Sequence, residues 1–232
     1  NLNHNQDMKI KIPDSPKEIS LEAAIQLGNI ESEEDKADYF IKEVVGVKPS
    51  LFHMDDKKSL VSTFYYLISN NKEVSDPCNI KTKTLNLKLL ENLLEMRVAT
   101  FVELVNAKVK NDSFNNYQLV AACFFREDFE KPYSSSELIK IAEELSEQSL
   151  EVALWGAKLY QNLITLLKET FPILYEGSVG EQTEGRRAYD MLNSLAKDDP
   201  TKWEEAENLT LHKAFLWLEV KAIEADRKKQ RG

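Results

Sequence analysis

The chain has 232 residues, with 39 acidic against 30 basic side chains, a net charge of −9 and 42% hydrophobic residues. That length supplies a real core in one large domain or two small ones. The acidity argues against a nucleic-acid binder, whose affinity comes from neutralising phosphates with Lys and Arg. Seven glycines and seven prolines are few for this length. Scarce turn formers beside abundant Leu, Glu, Lys and Ala point to an all-α fold, a multi-helix bundle of about 8–10 helices with at most one short N-terminal strand or β-ribbon. Cys78 and Cys123 stand far apart in unrelated contexts and read as reduced thiols. No run of about 18 apolar residues is present and no signal-peptide pattern opens the chain, so neither a membrane contact nor export is expected.

Residues 1–12 read as an extended arm. Asn1 to Asp7 is polar and unpatterned, to be ordered only by a partner, and Met8 to Ile12 (MKIKI) alternates as a short strand does. Ser20 is placed to cap SLEAAIQLGN, and Ser32 opens a helix whose first turn carries Glu33, Glu34 and Asp35 and which runs to Gly46. Three acids at a helix start suit the dipole better than a metal, since no further ligand stands at a suitable spacing. Asp55 or Asp56 is expected to cap KKSLVSTFYYLISN. Asn70 to Thr84 is the most loop-like stretch of the first half and the best domain boundary, with short strands expected near Val74 and Asn79 to Leu85.

Leu87 to Lys110 reads as helical with a break near Arg97 to Thr100. Ser113 is expected to cap FNNYQLVAACFF, Arg126 to Tyr133 to form a polar loop, and Ser134 to Ser136 to begin the amphipathic helix ELIKIAEELSEQ. Leu150 to Phe171 then carries two apolar rows. One contains Leu150, Ala153, Ala157, Tyr160, Ile164, Leu167 and Phe171; the other contains Val152, Trp155, Leu159, Leu163 and Leu166. A surface helix needs one such stripe, so this one is expected to be central, capped by Ser149 and stopped at Pro172. Glu176 to Gly185 is a glycine-containing linker or a segment ordered by a partner. The remainder holds RAYDMLNSLAK, the short helix TKWEEAEN and a terminal helix from Leu211. The organisation expected is an arm at 1–12, an N-terminal helical subdomain at 13–72, a central bundle at 85–172 and a C-terminal helical segment at 184–232.

Chemistry-bearing motifs are absent from the linear sequence. His4, His53 and His212 have no metal-ligand spacing around them, and no P-loop, GxGxxG or GxSxG occurs. Ser134, Ser135 and Ser136 are explained by capping. No catalytic, cofactor or metal residue is therefore assigned, and no enzyme is expected. The residues that stand out are aromatic and basic. In the terminal helix Trp217 falls among Lys213, Lys221 and Glu224, and Trp203 opens TKWEEAEN; an exposed Trp is a favoured anchor for protein contacts. Arg227, Lys228, Lys229 and Arg231 suit a helix C-terminus.

The opening MKIKIPDSPKEISLEAAIQLGNIESEEDKADYFIKEVVGV and the closing SLAKDDPTKWEEAENLTLHKAFLWLEVKAIEADRKK resemble small helical morphogenesis proteins of tailed bacteriophages, of the tail assembly chaperone or structural kind. The opening shares an extended start, a P-S-x-K-x-I-S/T turn and paired short helices. The ending shares an LA-x-x-D helix end, K-[FW]-[DE]-E, L-x-L-x-x-A and a last Leu/Ala-rich helix. What the resemblance implies is a protein that works by contact, as a chaperone or as a virion component such as a ring or cargo protein. Its partners would be other phage structural proteins, with a homo-oligomer compatible, in the virion or the host cytoplasm. Two other readings stand beside it: an acidic host-directed inhibitor, which the Lys scattered among the acids disfavours, and a helical hydrolase built on distant carboxylates.

Overall fold

The computed structural model describes residues 10–69, 74–110, 116–175, 190–197 and 199–229. The chain is mainly helical with one small three-stranded antiparallel sheet. Serine hydroxyls start the first helices by taking up backbone N–H groups that the first turn leaves unpaired. Ser20 Oγ accepts from Ala23 N at 3.1 Å and opens α1 (Leu21–Asn29). Ser32 does the same for Asp35 N at the head of α2 (Glu33–Tyr39), with its three acids in the first turn. The chain then widens into a π-helical stretch, Phe40–Val45, and stops at Gly46, whose φ of 78° is left-handed and suits a residue without Cβ. The expected Asp55 or Asp56 cap needs correction. α3 (Met54–Ser69) already begins at Met54, His53 O accepts from Lys57 N, and both aspartates lie inside the first turn.

The strands fall in the middle of the chain, and residues 10–12 of MKIKI form none. β1 (Ile80–Lys81) pairs with β2 (Asn86–Leu89) in the register Ile80↔Leu87, around a turn in which Thr82 Oγ1 accepts from Leu85 N at 2.9 Å. β3 (Phe125–Arg126) lies on the other side of β2, with Leu89 opposite Phe125. The helix expected from Leu87 therefore starts only at Val98, as α4 (Val98–Lys110). The pairing on both sides decides it: with Ile80 and Phe125 as partners, Asn86 and Lys88 point out while Leu87 is buried between them, the period of a strand. Phe125 and Arg126 likewise belong to the sheet instead of ending a helix and starting a loop.

α5 (Tyr117–Ala122) precedes β3, and α6 (Ser135–Ser146) follows it, capped by Ser134. Next come α7 (Leu150–Thr170), α8 (Pro172–Tyr175), α9 (190–196), α10 (Trp203–Glu207) and α11 (Leu211–Lys229). The arm Asn1 to Asp7, the Ser113 cap and the Glu176 to Gly185 loop lie outside the described residues. Pro172 ends α7 as expected but is itself the first residue of α8.

α7 is the element around which the rest packs. Leu150 and Ala153 belong to a hydrophobic cluster with α1, Phe40, Ile41 and the inner face of α3. Val152, Trp155, Leu159, Tyr160, Leu163 and Leu167 belong to a second, larger cluster with α4, α5, α6, α9, α10 and the start of α11. Both apolar rows are thus used. Where α5 crosses α7 the backbones meet at Gly156: a Cβ built there would lie 2.8 Å from both Cα and N of Ala121.

Two pairs of helix starts are tied by short antiparallel bridges. Leu21 N donates to Gln148 O and Leu150 N to Ile19 O, each at 2.7 Å, so Ser20 faces Ser149 at the heads of α1 and α7. Val98 N donates to Leu209 O at 2.9 Å and Leu211 N to Met96 O at 2.8 Å, joining the heads of α4 and α11. Helix-initial N–H groups have no partner within their own helix, and here the neighbouring strand-like residues supply one. Ser149 stands at the N-cap position expected of it, but its side chain makes no cap bond; the bridge to residues 19–21 supplies the partner instead.

Candidate functional site

α11 enters the core at its N-terminal end and leaves it after one turn. Leu211, Ala214 and Phe215 are buried, with Phe215 set against Phe101, Phe171 and Tyr175 at centroid distances of 6.0, 5.5 and 6.3 Å. From Leu216 to Lys228 no side chain of the helix is buried. Leu218 still packs on the core, while Leu216 is 48% and Val220 46% exposed. Other large apolar side chains are exposed as well, among them Leu51, Tyr66 and Ile139; Leu216 and Val220 differ in standing on consecutive turns of one helix, where they make a continuous strip.

The four residues expected to make protein contacts lie as follows. Trp217 is half-buried, and Lys221 Nζ sits 5.7 Å from the centre of its ring while also pairing with Glu224 at 3.0 Å. That carboxylate is held below its ordinary range, first by the hydrogen bond from Lys221 and then by its charge. Lys213 is exposed one turn before Trp217. Trp203 is 37% exposed on α10, which packs on α4, and no ring contact joins it to Trp217. The helix therefore groups Trp217, Lys213 and Lys221 and leaves Trp203 on another element. Sequence reasoning chose the large ring and passed over Leu216 and Val220, the more exposed apolar groups. Their signal was present: Leu216, Val220 and Ile223 form a second apolar row beside the one that faces the core.

Elsewhere the polar groups serve structure. Arg126, 6% exposed, donates to Glu137 Oε2 at 2.6 Å and to Pro132 O at 3.0 Å, fixing the turn between β3 and α6. Tyr133 OH donates to Glu103 at 3.4 Å; burial, and then the charge of Glu103, pushes the phenol up. Cys123 beside it is fully enclosed, and burial first, with Glu103 second, pushes its thiol well above the ordinary 9.0. A protonated thiol is a poor nucleophile. The cavity these groups share with Thr100 and Ser134 is about 10 Å³, room for about one water. A wider groove of about 330 Å³ opens outside it between Leu85, Glu127, Ser136, Glu137, Lys140 and Ile141.

Glu151, 5% exposed, accepts from both N and Oγ of Ser75 at 2.9 Å, with Lys17 Nζ 3.7 Å away, and Trp155 Nε1 donates to Ser75 O at 2.9 Å. The buried carboxylate thus anchors the segment entering the sheet to α7. Among the described residues no group of three or more His, Cys, Asp or Glu side chains is arranged to hold a metal, and no helix is long and apolar enough to cross a membrane. No family model, no curated protein and no solved structure matches the chain.

Proposed function

We propose that this chain is a non-enzymatic contact protein, a bundle of helices assembled around α7 that offers the outer half of α11 to other proteins. What supports the reading is the pair Leu216 and Val220, exposed on successive turns of a helix whose first turn is seated in the core. Burying such a pair on a partner contributes about 25 cal/mol per Å² of apolar surface removed from water, which is what a contact helix needs. The setting, bacteriophage morphogenesis or virion structure, is supported by the sequence resemblance of the opening and closing segments. In it the partners are tail, neck or packaged proteins, and the chain resides in the virion or the host cytoplasm, as a tail assembly chaperone or as a virion component.

The test is co-purification of the full chain and of a Leu216→Asp, Val220→Asp double variant from cells producing the other structural proteins. A partner held by the unaltered chain and lost from the folded double variant is the expected result. A partner retained equally by both would remove α11 from the reading. Mass spectrometry of purified particles then separates the two roles: abundance in particles marks a virion component, and absence marks a chaperone.

A further inference from the structure

The outer ridge of α11 has a charge pattern as well as an apolar one. Lys213, Leu216, Val220, Ile223 and Arg227 recur at alternating three- and four-residue steps, which lines them up along one side of the helix. Leu216 and Val220 are about half exposed, Ile223 is half-buried, and Lys213 and Arg227 are exposed at the two ends. Neither end cation makes an ion pair among the described residues, whereas Lys221, off the ridge, is already occupied by Glu224 and the Trp217 ring. Glu219 and Glu224 flank the line, and Arg227, one turn beyond Glu224, helps Lys221 hold that carboxylate low. The surface is thus an apolar centre with an exposed cation at each end, carried on a chain whose net charge is −9.

That pattern discriminates between occupants. Two copies packed antiparallel about Val220 would set Lys213 of one against Arg227 of the other, and a parallel pair would set each cation against itself. Both arrangements place like charges opposite each other, so a second copy is disfavoured. From this ridge we infer that α11 receives an acidic amphipathic helix of another protein, one with apolar residues at three- and four-residue steps between two carboxylates. The inference rests on the contact reading above and adds the chemistry of the partner. An apolar seam supplies most of the attraction in such a pair, and the end charges set the choice of partner.

The experiment uses the full chain and two fluorescein-labelled synthetic helices that share a ridge of three leucines. One helix carries Glu at both ridge ends and the other carries Lys; anisotropy reads the binding. The Glu-ended helix is expected to bind about four- to thirtyfold more tightly, since two end contacts change from attraction to repulsion. That margin shrinks in about 0.5 M salt. The surface variant Lys213→Glu, Arg227→Glu is expected to reverse the preference, with its circular dichroism spectrum confirming a folded chain. Equal binding of the two helices, no binding of either, or a preference that survives the charge reversal would overturn the inference. Should that happen while the co-purified partner still depends on Leu216 and Val220, the contact reading stands and only the acidic helix is lost. Should the partner also ignore those residues, both fail.

Discussion

At Gly156 the absence of a side chain sets how close two helices can lie. With a Cβ 2.8 Å from the backbone of Ala121, Gly156→Ala forces α5 and α7 apart, because no flexible side chain can move out of the way. The expected cost is about 1–3 kcal/mol in urea unfolding, the range for overfilled cores. The two thiols make the opposite comparison. Cys78 is exposed and Cys123 enclosed, so a disulfide-exchange reagent should titrate one thiol in the native chain and two after denaturation. The raised Cys123 value also has a pH consequence. Its folded form holds the proton more tightly than the unfolded chain does, so stability is unaffected below pH 9.0 and falls as the pH rises through and beyond it. The loss approaches about 1.4 kcal/mol per pH unit, and Cys123→Ala should flatten that limb of the unfolding curve. Tyr133, raised from 10.0, adds to the decline at higher pH.

At the scale of elements, Asn208 holds three pieces of chain at once. Its Oδ1 accepts from Tyr133 N at 2.9 Å, its backbone O accepts from Arg97 Nη1 at 2.7 Å, and its Nδ2 donates to Glu204 O at 2.9 Å. Asn208→Ala leaves the part-buried Tyr133 N–H unpaired and should cost about 1–3 kcal/mol, with Asn208→Asp restoring most of it because the acceptor returns. No local pattern announces such a residue. What the sequence did announce was the two-sided burial of α7 and the Ser20, Ser32 and Ser134 starts. The misread stretch, Leu87 to Leu89, is too short for its period to be told from a helix turn, and its strand character depends on partners at Ile80 and Phe125. Ser149 holds the cap position without a side-chain bond because Ile19, distant in sequence, accepts from Leu150 N instead. On α11 the row Leu216, Val220, Ile223 was legible, but which of two apolar rows faces outward is decided by packing on α4, α8 and Leu93–Glu95.

Over the whole molecule, the bridges between helix heads have a kinetic consequence. Ser20 meets Ser149, and Arg97 meets Thr210, so each joins points about half the chain apart. A helical protein ordinarily forms from neighbouring turns and hairpins, which makes it quick. Here two loops of long contour must close before α1 can seat on α7 and α11 on α4, and closure entropy is lost before any of that burial is gained. Refolding followed by tryptophan fluorescence after a urea jump should consequently lag behind the appearance of far-ultraviolet helical signal, the secondary structure arriving first and the native Trp155 environment later. A single shared rate for both signals would show that the distant ends find each other as readily as adjacent helices do.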